Sequence, residues 1–176
     1  MTVITNRITN PRFTAGSTSI WQASGSTLQY DAVNHTLNIV NANSNDAYAE
    51  IAVQADSLRG QSMVLECTLS WTDGKQGHQC ANGIMLVTKT INGVESIVAA
   101  LHEGDASTPV SVGRKHLEFT VPADIDQLGI RLYGPVEDGQ LFQWASPTLT
   151  TAGEYQQLKQ KFGLDYFNGS TMPKIQ

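Results

Sequence analysis

An all-β sandwich is predicted, and three observations predict it. Apolar and polar residues alternate in short runs over most of the chain. Turn residues interrupt those runs roughly every 8 to 12 positions. Asn92-Gly93, a pair that accepts positive φ at both positions, sits between two such runs and marks a hairpin.

Taken in order, the first runs are short. Asn6 to Phe13 holds Asn10-Pro11, a turn or edge signal. Ser19 to Ala23 carries Ile20 and Trp21, and Thr27 to Ala32 carries Leu28 and Tyr30. Asn34-His35 turns the chain into Thr36 to Val40, a second hairpin. Ala47 to Val53 puts Ala47, Ala49, Ile51 and Val53 on one face. Ser62 to Trp71 is the longest run. Met63, Leu65, Cys67, Leu69 and Trp71 share the core parity, and Val64, Glu66, Thr68 and Ser70 share the other. A polar loop, Thr72 to Asn82, holds Gly74, Gly77, His78 and Cys80.

Gly83 to Ile91 and Val94 to Glu103 flank Asn92-Gly93. Arg114 to Val121 turns Leu117, Phe119 and Val121 inward. Gln127 to Tyr133 turns Leu128, Ile130 and Leu132 inward, which leaves Gly129, Arg131 and Tyr133 on the other face. The chain is organised around its last third. Leu141 to Leu149 reads as a strand that closes the others into one sandwich, with Phe142 and Trp144 on one face. Thr151 or Gly153 caps a helix to about Phe162, with Tyr155, Leu158 and Phe162 on one face and Gly163 ending it. The expectation is a jelly-roll β-sandwich of about ten antiparallel strands with one short C-terminal helix and an extended tail. Residues 1–150 form the sandwich, and 151–176 are helix and tail docking on it or on a partner.

Composition narrows the function. The 176 residues are 40% apolar and 15% charged, with net charge −5. A nucleic-acid or anionic-membrane surface needs clustered Lys and Arg, and none is present. No apolar run has the length of a membrane span. The start, MTVITNRITNPRF, lacks a basic segment followed by an apolar one, so no signal peptide and synthesis in a cytoplasm are expected.

Cys67, His78 and Cys80 fit no zinc template, and no metal site is expected. Structural calcium would fall to Asp46, Asp124 or Asp126, although no EF-hand loop is present. Of the histidines, His35 and His78 lie in turns or loops, and His102 and His116 in strand patterns. No nucleophile elbow is present. A hydrolase would need a carboxylate pair such as Glu66 and Glu103, and nothing marks one, so no enzyme and no cofactor are expected. Trp21, Trp71 and Trp144 read as core anchors. A sugar site wants a flat ring beside polar groups. Tyr133, Arg131 and His102, with Glu66 and Ser70 on the long strand, are the candidate glycan face. Tyr155, Leu158, Phe162, Tyr166 and Phe167 are the candidate docking residues for a partner.

At both ends the sequence resembles a known family. Trp144, Pro147 and Leu149 follow the pattern aromatic-x-x-Pro-x-Leu. Tyr166, Phe167, Asn168 and Gly169 follow, then Thr171 and Pro173. Asn10, Pro11 and Phe13 form an Asn-Pro-x-Phe opening. Together these resemble phage minor tail proteins that carry a domain similar to jelly-roll, galactose-binding-like carbohydrate-binding modules. The resemblance implies a non-enzymatic virion protein of the tail tip. Its partners would be other phage tail proteins, host cell-surface polysaccharide and, in a homo-oligomer, further copies of itself. It would act in assembly and host recognition. A free-standing carbohydrate-binding module is the alternative, and a small glycan-active hydrolase the third.

Overall fold

The computed structural model describes residues 3–13, 20–74, 78–80, 82–105, 108–164 and 171–172. Ten strands form two five-stranded sheets, and every pairing is antiparallel. The first sheet has the order β2 (Gln22–Ser24), β5 (Tyr48–Gln54), β10 (Gln127–Tyr133), β7 (Met85–Ile91), β8 (Val94–Leu101). The second has the order β3 (Ser26–Asp31), β4 (Thr36–Asn41), β11 (Leu141–Thr151), β6 (Ser62–Ser70), β9 (Gly113–Thr120). The crossovers between the sheets are those of a jelly roll. β1 (Ile4–Thr5) and β12 (Thr171–Met172) form a separate short pair. Among the described residues, no helix is long and apolar enough to cross a membrane.

The strand the rest was expected to close around is the central strand of the second sheet. Phe142 and Trp144 of β11 are fully buried, and the Trp144 indole Nε1 donates to the Tyr133 carbonyl at 2.9 Å, tying one sheet to the other. Pro147 is tolerated inside this strand because it sits at a bulge, with Ser146 at φ 52°. The side chain of Asn6 repairs the broken ladder there. Its Nδ2 donates to the Pro147 carbonyl at 2.8 Å, and its Oδ1 accepts from Leu149 N at 2.9 Å and Ile8 N at 3.0 Å. Asn10-Pro11 opens a turn that drives Phe13 into the core against Trp21 and Tyr30. Asn92 and Gly93 adopt φ 50° and 78°, as the hairpin between β7 and β8 requires.

The helix α1 (Ala152–Phe162) begins with a reciprocal capping box. Thr151 Oγ1 accepts from Glu154 N, and the Glu154 carboxylate accepts from Thr151 N at 2.9 Å. Gly163 at φ 63° ends it. Glu154 also accepts from Thr5 N at 3.1 Å and pairs with Arg7, so the same carboxylate fastens the helix start to β1. Burial alone would raise the Glu154 pKa, but the Arg7 and Thr151 hydrogen bonds outweigh it and lower it from the ordinary 4.5. A depressed carboxylate contributes stability that is present above its unfolded pKa and is lost as pH falls through the folded one. Glu154→Gln is therefore expected to cost about 1 kcal/mol at neutral pH, the worth of a cap. In thermal melts of both proteins that gap should shrink as pH drops below 4.5.

Packing decides what lies above several of these residues. The outer parity of β6 is not open: Val64 and Glu66 are buried, and the hydroxyl of Tyr155 on α1 reaches Glu66 at 2.9 Å. Tyr155 and Leu158 bury against the protein itself, Leu158 with Ile4 and with Phe162 beside them. Tyr166 and Phe167 lie outside the described residues. His78 lies between strands, as expected, but is fully buried, edge-on to Trp71 and Phe142. Lys115, on the inner parity of β9 opposite Cys67, is buried, neutralised by Glu103 at 2.6 Å and hydrogen-bonded to Ser111 at 2.8 Å.

Candidate functional site: the outer face of the first sheet

The registers of the first sheet place one rank of side chains outward. Gln22 opposes Glu50, Glu50 opposes Arg131, and Arg131 opposes Leu86. One step along, Ala52, Gly129 and Thr88 stand in line. Ala49, Ile51, Leu128, Ile130 and Leu132 alternate inward and are buried, so sheet pleating alone sorts the two sets.

The centre of the face is a charged and aromatic cluster. Arg131 bridges Glu50 on β5 and Glu95 on β8. Its guanidinium lies 4.5 Å above the ring of Tyr48, within cation–π range. Tyr48 in turn packs on Tyr133, with ring centroids 5.4 Å apart. Burial pulls the Arg131 pKa down, but the two glutamates outweigh it and hold the charge more firmly. Burial first, and the Asp46 carboxylate next, push the Tyr133 hydroxyl up to about 12.

A Cβ added at Gly129 would stand 2.5 Å from Thr88 Oγ1 and 3.3 Å from the Glu50 carboxyl carbon, so glycine is what lets Thr88 and Glu50 pack over β10 there. Thr88 Oγ1 is buried and has no hydrogen-bond partner among the described residues. Toward β2 the face holds a cavity of about 230 Å³ lined by Thr9, Ile20, Gln22, Glu50, Ala52 and Gln127.

The structure brings only part of the expected glycan face together. Arg131 and Tyr133 share one side of β10, but Tyr133 is 2% exposed and serves as the support under Tyr48. His102 is exposed, just past the end of β8. Glu66 and Ser70 belong to the second sheet, on its outer side, away from Arg131. Tyr48, Glu50 and Glu95 were not singled out. The signal for the first two was present, because putting Ala49 and Ile51 inward puts Tyr48 and Glu50 outward with the parity of Arg131.

Other candidate groups are occupied. Glu103 is held by Lys115, on the opposite side of β9 from the His116 that holds Glu66, so these two carboxylates share no cleft. Asp124 pairs with Lys89 at 3.3 Å, Asp126 accepts from Asn92 N at 2.8 Å, and Asp46 accepts from Asn82 at 2.7 Å. Both cysteines are buried, and burial pushes each thiol up to about 12, which makes them poor nucleophiles. Among the described residues, no group of three or more His, Cys, Asp or Glu side chains is placed to hold a metal ion.

Comparison with solved structures now bears on the fold. A xylan-binding domain of carbohydrate-binding module family 22 aligns with a TM-score of 0.57 and 17% identity, over 84% of this chain and 96% of that one. A family 22 module of a Clostridium thermocellum enzyme, studied for ligand binding by residues of its cleft, gives 0.57 and 17% over 85% and 97%. The fold is a jelly roll like that of these carbohydrate-binding modules. A Paenibacillus barcinonensis xylan-binding domain aligns with a TM-score of 0.57 at 11% identity, over 85% of this chain and 94% of that one. An arabinose-bound α-L-arabinofuranosidase also aligns, with a TM-score of 0.56 at 13% identity, but this chain covers 27% of it. No family model and no curated protein sequence matches the chain.

Proposed function

We propose that this protein is a non-catalytic carbohydrate-binding module that takes a neutral polysaccharide across the outer face of its first sheet. The observation that carries the reading is the Tyr48–Arg131–Glu50 constellation beside the cavity lined by Gln22, Glu50, Ala52 and Gln127. Sugar hydroxyls both donate and accept, and this face offers both: carboxylates at Glu50 and Glu95, amides at Gln22 and Gln127, and a guanidinium. Arg131 between two glutamates leaves the cluster net negative, which disfavours an acidic polymer. The cavity, about 230 Å³, is smaller than the roughly 300 Å³ that encloses a drug-sized ligand. A chain lying along the sheet with one unit dipping into the cavity suits it better than an enclosed sugar.

The xylan-binding neighbours support the fold of such a module and make xylan the first polymer to test. A virion setting, with other tail proteins as partners, several copies adding avidity and host polysaccharide as ligand, is the finer reading. It rests on the motifs at the two chain ends, of which Tyr166 to Gly169 lie outside the described residues, and none of the likenesses named above is a phage protein.

The test is affinity electrophoresis in gels containing xylan or other neutral polysaccharides, alongside thermal melts. Retardation by one of them is expected, with Tyr48→Ala weakening it at least tenfold, about 1.4 kcal/mol, while the fold persists. Tyr48 is the informative position because Tyr133→Ala would also excavate buried packing. Migration untouched by every neutral polymer, or retardation indifferent to Tyr48→Ala and Arg131→Ala, would defeat the reading.

A further inference from the structure

On the opposite side of the sandwich, α1 crosses the outer face of the second sheet. Part of that crossing is closed by apolar contact, with Val64, Leu158 and Ile4 all buried. Near Glu66, two residues along β6 from Val64, the chain does something different. It leaves a cavity of about 460 Å³ between helix and sheet, lined by Glu66, Arg114, His116, Glu118, Tyr155, Gln156 and Lys159. A second cavity of about 240 Å³ adjoins it across Glu118, by Phe119 and Ala152.

The floor of the larger cavity is a buried carboxylate. Glu66 Oε1 accepts from the Tyr155 hydroxyl at 2.9 Å and pairs with His116 Nδ1, and Oε2 accepts from Arg114 Nε at 2.9 Å. Arg114 also donates to Thr68 at 2.8 Å, and His116 Nε2 meets Glu118 at 3.0 Å. Glu66 is thereby fully engaged, and it fixes an arginine, an imidazole and a phenol ring in the cavity wall. Burying such a network gives folding no advantage over apolar side chains of similar volume. Val64, two residues along the same face of β6, is apolar and buried, so the fold does not require charges under the helix.

The sign of the wall indicates a ligand. Three cationic side chains, Arg114, His116 and Lys159, face two carboxylates, one of which lies beneath them. Lys159 extends over the Tyr155 ring at 5.4 Å from an exposed helix position. We infer that this cavity is a second saccharide site, specific for a carboxylate-bearing unit such as a uronate. Its carboxylate would meet Lys159, Arg114 and His116. The inference is independent of the neutral-polymer face and uses none of its residues.

The titratable groups around His116 are Glu66 on β6, Arg114 and Glu118 on β9, and Tyr155 and Lys159 on α1. Burial pulls the His116 pKa down, but hydrogen bonds to Glu66 and Glu118 outweigh it and raise it above the ordinary 6.5. The imidazolium therefore persists to higher pH than that of an ordinary histidine, and uronate binding is expected to weaken as pH rises through that raised value.

Calorimetric titration with digalacturonate tests the site, with galactobiose as the uncharged control. Saturable binding of digalacturonate alone is expected, reduced at least tenfold by Lys159→Glu, a change at an exposed position that should leave the melting temperature unaltered. Arg131→Ala should leave it unchanged. Absence of saturable binding, equal binding of galactobiose, or loss on Arg131→Ala but not on Lys159→Glu would each overturn the inference.

Discussion

Asn6→Ala is expected to lower the stability of the protein by about 3 kcal/mol, one of the two largest single-residue effects anticipated. The side chain is 4% exposed and makes three hydrogen bonds, to Pro147 O, Leu149 N and Ile8 N. Alanine would leave two amide protons and a carbonyl buried without partners, at about 1–3 kcal/mol for each that water does not reach. The damage is local to the β11 bulge, but β11 is the central strand of its sheet, so unfolding should stay cooperative. Chemical denaturation reads this directly: the midpoint should fall with the slope unchanged. A loss below about 0.5 kcal/mol would mean that the N-terminal segment is not fastened there.

Glu66→Ala is expected to be as costly, again about 3 kcal/mol, because it removes the buried carboxylate that pairs a guanidinium, an imidazole and a buried phenol hydroxyl together. The contrast with a second variant makes the point. Replacing Glu66, Arg114 and His116 together by Leu, Met and Leu should cost less than the single change, since of the three groups that Glu66 holds only the Tyr155 hydroxyl then loses its partner. Thermal or urea unfolding of both variants checks this. If the triple variant proved the less stable of the two, the network would be there for stability, and the charges around the cavity would need no ligand to explain them.

The periodicity of the sequence carried most of the fold. Alternation placed Leu65, Cys67 and Leu69 inward on β6 and Leu117 and Phe119 inward on β9. The Thr151 cap and the Gly163 stop bounded α1 because a helix end has few ways to satisfy its free backbone groups. What alternation does not carry is what lies above an outward residue. Glu66 shares its parity with Ser70, yet α1 returns over one and not the other. Tyr133 shares its parity with Arg131, yet Tyr48 packs on it.

The candidate site suffered from the same gap. A sheet face is assembled from neighbours distant in sequence, so Arg131 was legible as outward without Glu50, Glu95 or Tyr48 beside it. Keeping Glu66 and Ser70 off the face of Arg131 required knowing that β6 and β10 belong to different sheets. His78 was legible as a loop residue, but its burial was not, because its neighbours in sequence are polar. Its burial depends on Trp71 and Phe142, which pack on it across the end of the sandwich.

The central claim is that the first sheet presents a saccharide-binding face, and amide chemical-shift mapping tests it most directly. The labelled protein would be titrated with an oligosaccharide of whichever neutral polymer retards it, xylo-oligosaccharides first. The account predicts saturable shifts concentrated at Tyr48, Glu50, Ala52, Thr88, Gly129 and Arg131, with the second sheet unmoved. Shifts confined to β6, β9 and α1, or to the loops, would contradict it.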